Sequence, residues 1–184
     1  MKIIAQISRL IVGVLFIISG FIKANDPLGF SYKLDEYFQV FNMPWLSAIS
    51  LVLAIVICAF EIGLGVAMLI GAKMIHTTWS SLLMIIFFTF LTFYSWKFDV
   101  VKDCGCFGDA LKLTPFQSFM KDIVLLVLIF FIFLKRKEIK PLFGEKPSTY
   151  LAYAGFAGSI FFSIYCLRHM PVIDFRPYAI GKSI

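Results

Sequence analysis

Two cysteines separated by a single glycine are the residues in this sequence with the clearest capacity for chemistry. Cys104 and Cys106 lie in the segment DCGCFGD, residues 103–109. Thiols at this spacing can close a disulfide only in a small, constrained ring, and Gly105 supplies the backbone freedom that such a ring needs. Strained, exposed disulfides have higher reduction potentials than structural ones and are typical of labile or catalytic pairs. The spacing therefore favours thiol–disulfide redox chemistry.

Two other interpretations of this pair stay open at the level of sequence. The first is a permanent disulfide that fixes the loop, although a ring closed between neighbouring residues constrains little chain. The second is a metal site, which would need more ligands, because the segment contains no His and two Cys with two Asp form an unusual zinc set. A copper site would be possible if another chain supplied the missing ligands. For this chain alone, no metal is predicted.

Other residues bear on the reactivity of the two thiols. Lys121 follows shortly after the segment, and an ammonium group near a thiol increases its thiolate fraction, whereas Asp103 and Asp109 act in the opposite direction. Cys166 is predicted near the same level of the membrane and is a candidate third thiol. Cys58 falls in the middle of an apolar stretch, where a thiol is an ordinary packing residue.

The elements that must position these residues are membrane helices. Of the 184 residues, 60% are hydrophobic and 15% are charged, which leaves too little polar surface to coat a soluble domain. A helix needs about 20 mostly apolar residues to cross a bilayer. Five stretches qualify, at 3–22, 45–70, 77–96, 116–134 and 150–167. The predicted fold is an all-α integral membrane protein with a four-helix transmembrane bundle and a fifth transmembrane helix.

The connection between the fourth and fifth stretches is rich in basic residues, namely Lys135, Arg136, Lys137, Lys140 and Lys146. Positive residues resist translocation, so this connection is predicted to face the cytoplasm. The N-terminus is then cytoplasmic, while segments 23–44 and 99–115 and the C-terminal tail are periplasmic. The predicted location is the bacterial inner membrane, and the net charge of +6 is a topology signal that calls for no nucleic-acid partner.

The first outer segment is predicted to contain a short amphipathic helix. Asp26-Pro27 is typical of an N-cap followed by the first helical position. Apolar residues then recur at helical spacing, at Phe30, Leu34, Tyr37, Phe38 and Phe41. Such a helix lies on the outer leaflet or caps the bundle, and an anchoring role is favoured over a ligand site.

Charges inside the apolar stretches need partners, because one at the bilayer centre costs at least ~2.5 kcal/mol. Arg9 and Glu61 are predicted to lie within one or two turns of the same depth, which makes them a candidate buried pair. Such a pair would lock two spans together; the alternative is a carboxylate that handles protons or binds a small molecule.

An ordered set of residues resembles the DoxX-like membrane proteins. The set is Arg9-x3-Gly13-x2-Phe16-x2-Ser19-Gly20-x2-Lys23, then Asp26-Pro27, then Glu61-x3-Gly65. The DCGCFG segment, followed by Leu113-x-Pro115 and Lys121-Asp122, is similar to the MauE (methylamine utilisation) branch of that group. The resemblance covers residues 1–135.

This resemblance implies a four-helix membrane domain over 1–135, similar in outline to the vitamin K epoxide reductase and DsbB disulfide generators. It implies that Cys104 and Cys106 are the redox pair, that Arg9, Glu61 and Lys121 form a polar framework, and that a thioredoxin-like protein is a partner in maturing a disulfide-rich periplasmic enzyme. Quinone-linked generators use a Cys-x-x-Cys sequence, which is absent here. Quinone is therefore an allowed rather than a required cofactor.

Residues 136–184 add the basic cytoplasmic link, the fifth span and an extended periplasmic tail. The tail PVIDFRPY, residues 171–178, resembles the junction in DoxX-like proteins of the Bacteroidetes group, where a periplasmic domain follows. We therefore expect a domain beyond Ile184 in the native protein. An intact mass of the native protein well above 20.9 kDa would support this expectation, and a mass of 20.9 kDa would contradict it.

The sequence thus favours an inner-membrane thiol–disulfide redox protein that acts through Cys104 and Cys106 on an envelope partner, and an oxidoreductase activity is one form that this role could take. The alternative is a non-enzymatic membrane scaffold or assembly subunit, whose tail and amphipathic helix recruit a larger envelope complex.

Overall fold

The computed structural model describes residues 2–101, 113–139, 141–169 and 171–173, and these residues are predominantly helical. The helices are α1 (Lys2–Asn25), α2 (Pro27–Val40), α3 (Ser50–Ile70), α4 (Met74–Phe98), α5 (Pro115–Lys135) and α6 (Glu145–His169), with 3-10 turns at Pro44–Ile49 and Arg136–Glu138. Among the described residues, five helical segments are long and apolar enough to cross a membrane, which confirms the predicted all-α fold and its five spans.

Local sequence rules explain where several helices begin and end. Asp26 caps α2 by accepting a hydrogen bond from the Gly29 amide at 2.9 Å, and Pro27 occupies the first helical position, as predicted. Thr114 begins α5 through a reciprocal capping box with Gln117. Gly71 ends α3 in a left-handed conformation, with φ of 75°.

The five spans alternate in direction, which gives the bundle two ends of different composition. At one end, here called the α2 end, α1 finishes and α3 begins, and the α2 helix covers the bundle there. The Tyr37 hydroxyl hydrogen-bonds with Ser95 Oγ at 2.8 Å, so the last turn of α4 lies at this end too. At the opposite end, the Leu142 amide donates to the Ile70 carbonyl at 2.9 Å, which ties the α5–α6 link to the end of α3.

The amphipathic α2 helix caps the bundle by packing its apolar face inward. Phe30, Leu34 and Tyr37 are buried, and Phe30 and Leu34 join a core cluster with Ala54 and Cys58 of α3. Tyr37 packs with Leu91 in a second cluster. The sequence allowed α2 either to lie on the outer leaflet or to cap the bundle. In the structure α2 caps the bundle, packed against α3 and α4.

Helices α1 and α3 approach closely because glycines face each other along their contact. A Cβ atom added at Gly65 would lie 2.8 Å from Ile17 Cγ1 and 2.9 Å from the Gly13 carbonyl oxygen. A Cβ added at Gly20 would lie 2.7 Å from Ile62 Cγ1 and 3.3 Å from the Cys58 carbonyl oxygen. Small residues at such contacts give van der Waals packing that lipid cannot supply.

We expect Gly65→Ala to destabilise the bundle, because the added methyl group would clash with backbone atoms of α1, which cannot move away as a flexible side chain could. The expected loss is about 1–3 kcal/mol, typical of an overpacked core. Thermal unfolding in detergent measures it. Gly158→Ala is the matched control, since an added Cβ at Gly158 meets nothing within 4 Å. Equal unfolding temperatures for the two variants would contradict the close approach of α1 and α3.

Candidate functional site

Buried charged residues gather in the half of the bundle nearest the α2 end. Lys23 of α1 forms an ion pair with Glu61 of α3, with 2.5 Å between Nζ and Oε2 and side chains 1% and 6% exposed. The Lys23 ammonium also lies over the rings of Phe88 and Phe30, at 4.6 and 5.3 Å from their centroids. Aromatic faces stabilise a desolvated cation, so Lys23 is held by both a carboxylate and the faces of two rings.

The pairing of Glu61 corrects the expectation that Arg9 would be its partner. In the register of α1 against α3, Gly20 faces Cys58 and Ile62, so Glu61 lies at the level of Gly20. Lys23 is one turn from that level, whereas Arg9 precedes Gly20 by eleven positions, about 16 Å along the helix axis. The described contacts of Arg9 are local: its Nη2 donates to Gln6 Oε1 at 3.4 Å, and its Nη1 is buried with no hydrogen-bond partner among the described residues.

Sequence reasoning did not identify Lys23 as the partner of Glu61, because the predicted first span ends at Ile22. The helix continues to Asn25, and Lys23 is buried inside it. A signal for this was present in the spacing, since Val12, Phe16, Ser19 and Lys23 repeat at three- and four-residue intervals along one helix face. All four are buried in the structure.

A second buried carboxylate belongs to α5. Asp122, whose side chain is 1% exposed, lies 2.9 Å from the Lys121 ammonium through Oδ1. Its Oδ2 accepts a hydrogen bond from the Thr92 hydroxyl of α4 at 3.0 Å. Lys121 keeps about a quarter of its side chain exposed. This arrangement joins α4 to α5 and holds a cation close to the start of α5.

The two ion pairs line one small cavity. It encloses about 20 Å³, and its wall includes Lys23, Glu61, Lys121 and Asp122, with Ser19 beside them. A volume of this size admits roughly one water-sized group. The cavity therefore brings two carboxylates and two ammonium groups from α1, α3 and α5 into one site, here called the charge cluster.

Cys104 and Cys106 belong to segment 102–112, which lies outside the described residues. The described chain reaches this segment at Val101, which is buried with Tyr37 and Leu91, and resumes just before the capping box of α5. Both ends of the segment are thus at the α2 end. The spatial relation of the two thiols to Lys121 stays a prediction.

The other two cysteines are free thiols in the protein interior. Cys166 is 3% exposed and lies in the last turns of α6, at the α2 end, while Cys58 is fully buried in α3. A role for Cys166 as a third thiol stays a prediction. Within the described ranges, no group of three or more His, Cys, Asp or Glu side chains is placed to hold a metal ion.

The chain that follows α6 is attached to the end of α1 by an asparagine. Asn25, which is 1% exposed, donates from Nδ2 to the Ile173 carbonyl at 2.7 Å and accepts from the Ile173 amide at 3.1 Å. The side-chain amide thus pairs with both backbone groups of one residue. This contact, which sequence reasoning did not anticipate, holds the start of the tail at the α2 end.

We expect Glu61→Gln to lower stability strongly, because it leaves the Lys23 ammonium buried without its counter-charge. Breaking a buried pair costs about 3–5 kcal/mol, so a marked fall in unfolding temperature in detergent is expected. The control is Glu36→Gln, which removes the partner of Lys33 in a more exposed pair and should cost under about 1 kcal/mol. The double variant Lys23→Met/Glu61→Met should recover most of the loss. Similar stabilities for Glu61→Gln and Glu36→Gln would contradict this account.

Comparison with known proteins places these features in a family. The family model described as "Methylamine utilisation protein MauE" matches residues 1–135, which span α1 to α5. Protein TlpB of Flavobacterium psychrophilum is 27% identical over 138 residues, covering 71% of this chain and 37% of TlpB. The chain therefore spans little more than a third of the length of that curated relative. No solved structure shows significant similarity. The match over most of the chain shows that this multi-pass membrane protein belongs to the MauE family.

Proposed function

We propose that this protein is an inner-membrane thiol–disulfide redox protein that acts through Cys104 and Cys106 on a periplasmic partner. The observation that carries the proposal is topological: the segment with the two thiols begins and ends at the α2 end, the end nearest the charge cluster. Membership of the MauE family and the Cys-Gly-Cys spacing support it.

The proposed reaction is an exchange of one disulfide for another. A thiolate of one protein attacks the disulfide of the other, and a mixed disulfide forms as the attacked sulfur bond breaks. The second cysteine of the attacking pair then displaces the bound sulfur. Two electrons and two protons have then passed from the protein that began as a dithiol to the one that began as a disulfide. A thioredoxin-like protein fits this role because it presents a thiol pair at its surface.

The charge cluster would serve this reaction by positioning. Lys23–Glu61 joins α1 to α3, and Asp122 joins α5 to α4 through Thr92. The Asp122–Thr92 contact fixes α4, from which the thiol segment departs, against α5, to which it returns. Lys121 is the one partly exposed member of the cluster, and an ammonium group there would stabilise a thiolate brought near it.

The proposed orientation places the α2 end in the periplasm. The opposite end carries most of the clustered basic residues, since α5 ends at Lys135 and the following turn contains Arg136 and Lys137. Positive residues are retained on the cytoplasmic side. The thiols would then face the compartment in which bacterial disulfides form and persist.

The competing function is a non-enzymatic scaffold, in which the tail and α2 recruit an envelope complex and the thiols do not turn over. The Asn25 contact with Ile173 supports a defined path for the tail and is compatible with either function. The two functions differ in whether a covalent intermediate forms with a partner.

We expect Cys104→Ser or Cys106→Ser, expressed in the native host, to trap a mixed disulfide with an envelope protein. One of the two variants removes the thiol that resolves the intermediate, so a higher-mass band should appear on a non-reducing gel and disappear on reduction. Cys58→Ala is the control, because it removes a fully buried thiol and should trap nothing. If neither single variant traps a partner and the double variant is fully functional, the redox function fails and the scaffold function stands.

A further inference from the structure

Two neighbouring cavities lie at the end of the bundle opposite α2. The first, here called the groove, encloses about 350 Å³ between α3, α4 and α6. Its wall is mainly apolar and includes Gly63, Ala67 and Phe156. These residues belong to helices that are long and apolar enough to cross a membrane, so the groove would lie beside acyl chains in a bilayer.

The second cavity, here called the basin, encloses about 530 Å³ between the α3–α4 turn and the link from α5 to α6. Four of its residues are basic, namely Lys73, His76, Arg136 and Lys137, and one is acidic, Glu145. Lys73, His76 and Thr149 line both cavities. A cluster of basic side chains therefore lies where the apolar groove meets the surface of the bundle.

The backbone holds the two sides of the basin in place. The Leu142 amide donates to the Ile70 carbonyl, which fixes the α5–α6 link against the end of α3. Lys73 precedes α4 in a left-handed conformation, with φ of 38°, and its carbonyl accepts hydrogen bonds from the amides of His76 and Thr77. A non-glycine residue in this conformation is uncommon, so the turn that presents Lys73 is a specific one.

Part of the positive charge is available to an anion. Lys135 is paired with Glu138 at 3.1 Å and does not line the basin. Arg136 stacks on Phe133 and donates one hydrogen bond to its carbonyl, but its Nε is buried with no hydrogen-bond partner among the described residues. Stacking fixes the guanidinium plane at the wall of the basin, and no described carboxylate pairs with it.

We propose that the groove and the basin together bind one anionic phospholipid. Its phosphate would lie among Lys73, His76, Arg136 and Lys137, and one acyl chain would lie in the groove against Gly63 and Phe156. Basic pockets between transmembrane helices recognise anionic headgroups by charge, whereas a zwitterionic lipid offers them no net charge. The site lies at the opposite end from the thiol segment and does not depend on the proposed redox function.

The test is a titration of the purified, delipidated full-length chain with defined lipids, followed by native mass spectrometry. Dioleoyl phosphatidylglycerol should bind with a stoichiometry of one at low concentration, and dioleoyl phosphatidylcholine at least tenfold more weakly. Inorganic phosphate, added in excess, should not displace the bound phosphatidylglycerol. Displacement by phosphate would show a free-anion site and overturn the proposal.

Two test variants, each with a matched control, distinguish the contribution of the headgroup site from that of the groove for the acyl chain. Lys73→Gln/Lys137→Gln should weaken phosphatidylglycerol binding roughly 30-fold, the factor that corresponds to about 2 kcal/mol for two cations. The control Lys33→Gln/Lys97→Gln removes the same charge at the α2 end and should leave binding unchanged. Ser80→Leu places a larger side chain in the groove and should weaken binding, while Thr89→Leu, on the same helix but outside the groove, should not.

Thermal unfolding of each lipid-free variant is measured alongside, so that a folding defect is not mistaken for a binding defect. Equal affinity for the two lipids, or equal losses in the Lys73/Lys137 and Lys33/Lys97 variants, would overturn the proposal. Equal lipid affinity of the Ser80→Leu and Thr89→Leu variants would also overturn the proposal.

Discussion

The rest of the structure depends on the need to pair charges inside an apolar bundle. Lys23 and Glu61 are both almost fully buried, and either one alone would be an uncompensated charge in the protein interior, at a cost of about 3–5 kcal/mol. Their contact therefore fixes how far α1 is shifted along α3. Gly13, Gly20 and Gly65 allow the close approach that this register requires. The Asp122 carboxylate joins α5 to α4 differently, by accepting a hydrogen bond from the Thr92 hydroxyl.

This constraint gives the two ends of the bundle different chemistry. Towards the α2 end the charges are buried and largely matched, two ammonium groups against two carboxylates, and the segment with Cys104 and Cys106 departs from there. At the opposite end the basin has an excess of positive charge beside an apolar groove. A matched, rigid cluster suits the positioning of reactive groups, whereas an unmatched basic surface suits an anionic ligand from the membrane.

Much of the fold could be predicted from the sequence because apolar length and capping are local properties. The five spans, the Asp26 cap and the inward face of α2 follow from residues close together in the chain. The partner of Glu61 could not be predicted, because it depends on the register between α1 and α3. In addition, the predicted first span ends at Ile22, which leaves Lys23 outside the set of membrane-buried charges. The contact of Asn25 with Ile173 joins residues 148 positions apart, so no local sequence pattern predicts it.

The most direct test of the central claim is the reduction potential of the Cys104–Cys106 pair in the full-length protein. The protein is equilibrated in thiol–disulfide buffers of defined potential, free thiols are alkylated, and the peptide with both cysteines is quantified by mass spectrometry, with Cys58 as an internal reference. We predict that the two thiols titrate together as a two-electron couple with a midpoint above about −300 mV, as labile disulfides do. A pair that stays oxidised well below that potential, or that never forms a disulfide, would contradict the account.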